Sequence, residues 1–404
     1  MKIQEFALNL CLRPHLPFRR RKRSKNLVIV GMVESSHFQN WLRAIIREDI
    51  FGRVWIIPSD YPRKRMTLES LEVVGNLECR LKVFHFPVDK RTNQIIFRGL
   101  DFLFGREWRS IVLFKYLKKA KPDYLHFHEL QHGAYLFNPI SKYFLNQKKF
   151  RVISSTWGSD LLFYGKLESH RIEIEKVLSW SDVVTAERVD DKIVCEHFDF
   201  KNIFIAPVYI TVGLKTPINV PDLKTSDRTL ILIKGYQDNH GRALNALSAL
   251  ELVETDLEKY EIGVFSASES VRLQVEFLRS AKNWNIHVIG RTTNQQMKTY
   301  FSQARLYVGL AVSDGLSTSM VEAMAGGAFP IQSLNSAAGV FIQEGVSGFI
   351  VNPWEVNTIA QRIDQALNND CLVDDAMTLN IRTLENKYNY EYGMAQIRKL
   401  YGEA

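Results

Sequence analysis

Short apolar runs, each followed by a polar-flanked segment of helical length, recur from one end of the chain to the other, and nothing else in the sequence limits the fold as strongly. In the first half the runs fall at 27–30, 54–57, 81–84, 124–127, 152–155 and 183–185; in the second they fall at 230–233, 262–265, 286–289, 306–309, 329–332 and 349–351. Strands separated by helices pair in parallel, because a parallel crossover consumes a helix. A parallel sheet is covered on both faces, so its strands read as unbroken apolar stretches such as Leu-Val-Ile-Val at 27–30 and Leu-Ile-Leu-Ile at 230–233. At 404 residues the chain exceeds the size of a single core. The reading is therefore α/β with two Rossmann-like domains, 1–207 and 226–387. The segment 207–228, with Pro207, Gly213, Pro217 and Pro221, is the linker.

Charge divides along the same line. Residues 1–150 hold 28 Lys+Arg against 13 Asp+Glu, and the remainder holds 24 against 31. The excess gathers in Arg19 to Lys25, in Arg63, Lys64 and Arg65, and in Lys118, Lys119 and Lys121. A basic face of this kind suits an anionic membrane surface, each cation near the bilayer contributing about 1 kcal/mol. Nucleic acid is disfavoured, since the clusters are not interleaved with stacking aromatics. Cys11, Cys79, Cys195 and Cys371 lack C-x-x-C spacing and read as reduced thiols. No apolar run of spanning length and no cleavable leader is evident, so the expectation is a cytoplasmic protein, peripheral on the cytoplasmic face of the membrane.

Ser313 to Gln332 carries the most chemistry. Asp314, Gly315, Leu316, Ser317 and Thr318 form a polar glycine loop, with Ser317 or Thr318 placed to cap a helix through Met320, Val321, Glu322, Ala323, Met324 and Ala325. Gly326 and Gly327 end that helix. Unpaired N–H groups and the positive end of the helix dipole converge at such a start, so a diphosphate is stabilised there without a metal. Glu322, one turn in, is in reach of a hydroxyl-bearing group attached to the diphosphate. Asp190 and Asp191 lie in a second helical segment and read as solvated.

Asp314 and Glu322 are separated by seven residues and are followed by Ala323, Met324, Ala325, Gly327 and Pro330. This run resembles the Glu-x7-Glu signature of retaining glycosyltransferases of family 4. The resemblance is strong over about 230–351 and weak in the first half. It implies the GT-B fold, with the nucleotide on the second domain, the acceptor on the first, and a terminal helix at about 388–404 returning to the first domain. Glu322 would hold ribose and Asp314 would touch the donor sugar, as Gly31, Gly315, Leu316, Ser317 and Thr318 approach the donor. Asp stands where the family usually has Glu, a reach shorter by about 1.5 Å. Tyr236 stands where the family has Arg. Arg242 falls near the family's lysine position, and Lys234 is either the second diphosphate cation or a strand-end lysine in water. His128, just past an apolar strand and followed by Glu129, would face the cleft and reach the sugar, with His126 buried. His37 would touch donor or acceptor. Asp160, in Thr156-Trp-Gly-Ser-Asp160, either binds acceptor hydroxyls or caps the next helix.

The activity implied is transfer of a sugar from a nucleotide-diphosphate sugar to a hydroxyl of a saccharide or lipid-linked oligosaccharide, with retention, in cell-surface polysaccharide assembly. Neither cofactor nor metal is called for. Asp314, His128, Lys234 and Arg242 are the catalytic candidates. Two alternatives stand beside it: a non-catalytic nucleotide-sugar or polysaccharide-binding partner of an assembly complex, and another GT-B enzyme such as a nucleotide-sugar epimerase.

Overall fold

The computed structural model describes residues 25–59, 81–83, 99–105, 107–146, 149–214, 218 and 221–402. The basic cluster at 63–65, all but Lys25 of the cluster at 19–25, Cys11, Cys79 and Phe84 lie outside them. Every expected strand is present. Among the described residues thirteen strands form two parallel sheets, one of seven in the order β3-β2-β1-β4-β5-β6-β7 and one of six in the order β10-β9-β8-β11-β12-β13. In the first, β1 (Asn26–Gly31) lies between β2 (Arg53–Pro58) and β4 (Tyr124–His128), with β3 (Leu81–Val83) outside β2. β5 (Arg151–Ser155), β6 (Val183–Thr185) and β7 (Ile203–Ile205) follow. The second sheet holds β8 (Leu230–Lys234), β9 (Glu261–Phe265), β10 (Asn285–Ile289), β11 (Ala304–Gly309), β12 (Phe329–Ser333) and β13 (Phe349–Val351). The sequence reading missed β7. It is a strand of three residues at a sheet edge, with Ile203 half exposed and neither Phe204 nor Ile205 fully buried, so its apolar signal is short and weak.

The central strands are buried on both faces because helices cover both. On one side of the first sheet Val28, Val30, Leu125 and Phe127 pack against Leu113, Leu117 and Val177 from crossover helices. On the other, Leu27, Ile29 and Ile56 pack against Phe38, Trp41 and Leu42. That second layer also contains Met394, Ile397, Leu400 and Tyr401, so the helix Tyr390–Leu400, last in the chain, belongs to the first sheet's core. The helix before it, Asp370–Lys387, packs with the second sheet through Val373 and Ala376.

The connection read as a linker is anything but loose in its described residues. Val208, Tyr209, Ile210 and Val212 are buried, as are Thr225 and Arg228. Its backbone runs against the return of the chain: Leu214 N–H donates to Tyr388 O at 2.7 Å and Tyr390 N–H to Leu214 O at 2.8 Å. Gly213 has φ of +89°, and a Cβ there would sit 2.6 Å from Asn389 O, so glycine is required on both counts.

A buried relay fixes the end of the chain. Trp41 Nε1 donates to the Tyr401 hydroxyl at 3.2 Å, and that oxygen lies 2.6 Å from His126 Nδ1. His126 Nε2 is 2.7 Å from Ser155 Oγ, itself 2.6 Å from Thr185 Oγ1. With one proton on the phenol, Tyr401 donates to Nδ1, so His126 carries its proton on Nε2 and donates to Ser155. Burial, and then His128, hold His126 well below the usual imidazole range, consistent with a neutral ring. Tyr401→Phe leaves the Trp41 N–H and His126 Nδ1 without partners, at a cost of about 2–3 kcal/mol. The urea midpoint of the transition that reports the first sheet is expected to fall accordingly; an unchanged midpoint would show that the relay carries no stability.

Candidate functional site

In open parallel sheets ligands lie beyond the carboxyl ends of the strands, where the strand order reverses. Here the order reverses between β1 and β4 and between β8 and β11. Beyond β1 the chain turns into the helix Ser36–Arg47, which carries His37 in its first turn. β8 ends in Lys234, and β11 leads through the 310–317 loop to the helix Thr318–Ala325.

These ends converge. Lys234 Nζ lies 3.6 Å from Asp314 Oδ2, with both side chains mostly shielded from solvent. Burial alone would lower the Lys234 pKa, but Asp314 and, after it, Tyr307 and Tyr236 outweigh that effect and raise it. The ammonium is therefore held charged, 5.2 Å from the centre of the Tyr236 ring. His37 reaches the same pair from the first sheet: burial lowers its pKa, with Asp314 pulling up and Lys234 down, which leaves it neutral near pH 7. Its ring stands edge-on to Trp157 at 5.7 Å.

The loops around this pair touch across the cleft. Ser159 Oγ donates to Ser313 O at 3.4 Å, and Ser313 Oγ to Gly158 O at 3.3 Å. A Cβ on Gly158 would fall 1.7 Å from Gly315 N, and one on Gly315 would fall 2.2 Å from Glu187 Oε2. His240, from the loop after β8, stacks edge-on against Phe163 at 4.7 Å.

Ser317 is the N-cap of Thr318–Ala325, in agreement with the sequence, and its own side chain makes no capping hydrogen bond. The first amides of the helix are thus open to an anion. Ser317 is buried, 3.5 Å from the Tyr307 hydroxyl, and Thr318 is half buried. Glu322, also half buried, accepts from Asn294 Nδ2 at 3.2 Å. Burial raises its pKa, while Asn294 and Lys298 restrain it.

Several expectations are corrected. His128 does not face the cleft: it is fully buried among Phe38, Trp41 and His126, and burial lowers its pKa to about 3. The reason is the two-residue period of a strand, which puts His126 and His128 on one face. Glu129 adopts φ of +81° and accepts from the Ser59 hydroxyl and the His132 N–H, so it serves the turn. Gly31 gives room to a side chain, since a Cβ there would meet the Phe38 ring at 2.6 Å. Asp160 is buried and its Oδ2 accepts from the N–H groups of Leu130 and Trp157, both at 2.9 Å, so it staples its loop. Arg242 donates to Asp238 O and Gly241 O and lies over the Trp354 ring at 4.5 Å. Leu316 is core, and its N–H is already engaged. Asp191 is buried rather than solvated, beside Arg188.

The group that engages Leu316 is Glu187, which the sequence reading did not single out. Its Oε2 accepts from Leu316 N–H at 2.8 Å and its Oε1 from Ile210 N–H at 3.2 Å, so one carboxylate ties β6, the connection and the glycine loop together. Burial pushes its pKa up to about 7 against the pull of those two N–H groups. Its sequence signal is faint: an acid two residues past a three-residue buried strand.

Two Rossmann-like units facing across a cleft, with their switch points opposed, define the GT-B class, and solved GT-B structures superpose on nearly the whole chain. Sucrose-phosphate synthase from Thermosynechococcus elongatus aligns over 94% of this chain and 98% of its own, with a TM-score of 0.70 at 14% identity. Anabaena HepE, solved in complex with UDP and glucose, aligns over 94% of this chain and 100% of its own, with a TM-score of 0.67 at 11% identity. The lipopolysaccharide outer core galactosyltransferase WaaB gives 0.66 at 13% identity, with coverage of 94% and 100%. Residues 224–383 match the family of glycosyl transferases group 1, which supports a glycosyltransferase. Comparison with curated proteins gave no match.

Burial pushes Asp160, Glu187 and Asp191 each up to about 7. Acids raised in the folded state hold protons that the unfolded chain has released, so their contribution is complete below about pH 4 and is lost as the pH climbs through 7. His37, His126 and His128, lowered by burial, act in the opposite sense but only up to their unfolded value of 6.5. The melting temperature is therefore expected to fall between pH 6.5 and pH 8, and to fall less in Glu187→Gln. A calorimetric scan series in which the wild type gains stability over that interval would contradict the assignment.

Proposed function

We propose that the protein is a retaining glycosyltransferase of family 4 that moves a sugar from a nucleotide-diphosphate sugar to a hydroxyl of a saccharide or lipid-linked oligosaccharide, in cell-surface polysaccharide assembly on the cytoplasmic face of the membrane. The observation that carries this reading is the Lys234–Asp314 pair at the mouth of the uncapped helix Thr318–Ala325, with Glu322 one turn further in. The amides would hold the diphosphate, Lys234 would neutralise the charge that grows on it, Asp314 would orient the sugar and Glu322 would hold the ribose. The bond from the anomeric carbon to the phosphate breaks, the acceptor oxygen bonds on the same face, and the departing phosphate takes the acceptor's proton. Closure of the loops at 157–160 and 313–316 limits hydrolysis by keeping water out. Relatives of the same fold support the substrate class: HepE was solved with UDP and glucose, and WaaB is a lipopolysaccharide galactosyltransferase.

A second reading, a nucleotide-sugar-binding partner without transfer, is favoured by one observation. The Leu316 amide in the donor loop is occupied by Glu187.

Thermal shift against UDP, GDP, ADP, CMP and dTDP tests the donor site. A site-specific nucleotide at a hundred times its dissociation constant adds about 2.7 kcal/mol, and Glu322→Ala is expected to abolish the shift. Lys234→Ala is expected to lower turnover of the matching donor sugar by about 10²–10³. No shift with any of the five sinks both readings; a shift without turnover leaves the second.

A further inference from the structure

The crossover between β3 and β4 presents a face that the reaction does not use. In the helical segment 99–104, Phe102 is 89% exposed, Leu103 70% and Phe104 61%. Three consecutive large apolar side chains in water are costly, and monomeric proteins keep such contiguous patches for contacts. The segment is held at the start of the helix Glu107–Ala120 by Asp101, which accepts from Trp108 Nε1 at 2.8 Å and pairs with Arg109. Along that helix Leu113, Leu117 and Ala120 are buried, while Ile111, at 57% exposure, continues the apolar tip on the outer side. Lys115, four residues on, and Lys118 and Lys119, a further turn along, are exposed on the same side. Lys118 Nζ sits 4.9 Å from the rings of both Phe114 and Tyr143, which brings exposed Lys142 and Tyr143 into the same surface. From Trp108 to Pro122 the chain contains no acid.

An apolar tip followed by a row of cations matches an anionic bilayer: the rings enter the interface and the lysines stay at the headgroups. We infer that Phe102, Leu103, Phe104 and Ile111, backed by Lys115, Lys118 and Lys119, form the surface by which this protein docks on anionic lipid. The orientation this gives is useful. A crossover helix runs from the carboxyl to the amino ends of the strands it joins, so the tip lies at the carboxyl ends, beside the cleft. Docking there brings the cleft mouth to the lipid headgroups, where a lipid-linked acceptor would present its sugar. The inference rests on the membrane-surface part of the proposed reading and is independent of donor identity.

The test is co-sedimentation of the full chain with phosphatidylcholine vesicles and with vesicles containing about one third phosphatidylglycerol, at low and at physiological salt. The wild type is expected to bind the anionic vesicles, less so as salt rises, and to leave the neutral ones. The variants Phe102→Ser/Leu103→Ser/Phe104→Ser and Lys115→Glu/Lys118→Glu/Lys119→Glu are each expected to lower that partition by about tenfold or more. All of these positions are exposed, and circular dichroism melts check that both variants keep the wild-type fold. A wild type that ignores anionic vesicles overturns the membrane reading itself. A wild type that binds them, with both folded variants binding equally well, overturns this surface and leaves the membrane reading standing.

Discussion

Among its described residues the chain passes between its two halves twice, and the two passages are bound to each other. The outward one, through Val208 to Leu214, and the return, through Tyr388 to Gln396, exchange backbone hydrogen bonds at Leu214 and are packed so tightly that a Cβ on Gly393 would lie 2.1 Å from Val212 O. Gln396 completes the junction, accepting from Tyr209 N–H and donating to Pro207 O. Once the crossings are locked and the last helix is anchored in the first core, the two sheets can present only their carboxyl ends to one another. Every contact in the cleft depends on that arrangement.

Charge in the cleft follows from it. Lys234 and Asp314 stand eighty residues apart in sequence and become neighbours only because β8 and β11 are adjacent in the sheet. A partly buried pair of this kind is stabilised by Coulomb attraction and penalised by lost hydration, so its net contribution to folding is small. Its effect is on reactivity, since it keeps an ammonium charged in a place that would otherwise depress it. Glu187 belongs to the same logic: a carboxylate on the glycine loop, contributed by the other half, links closure of the cleft to a group that titrates near neutrality.

What the sequence revealed, and what it hid, has a physical division. Most strands announce themselves by buried apolar runs, so twelve of the thirteen described strands were readable; β7, three residues long and none of them fully buried, leaves a fainter trace. The glycine loop and the cap at Ser317 were readable because their cause is local. Side-chain destinations were not, wherever the partner is distant: Asp160 turns to Leu130, Arg242 to Trp354, and Asn294 meets Glu322 from another helix. His128 was legible in principle, since the strand period alone places it beside His126, inside the wall.

Gly158 and Gly315 meet backbone to backbone, with no side chain between them. Most domain interfaces are cushioned by rotamers that give by an ångström or more when the halves approach. Here the approach ends on peptide planes, which do not give. The separation of the two walls at full closure is thus a fixed gauge set by covalent geometry. Substitutions elsewhere in the cleft can alter what it holds while its closed width stays the same.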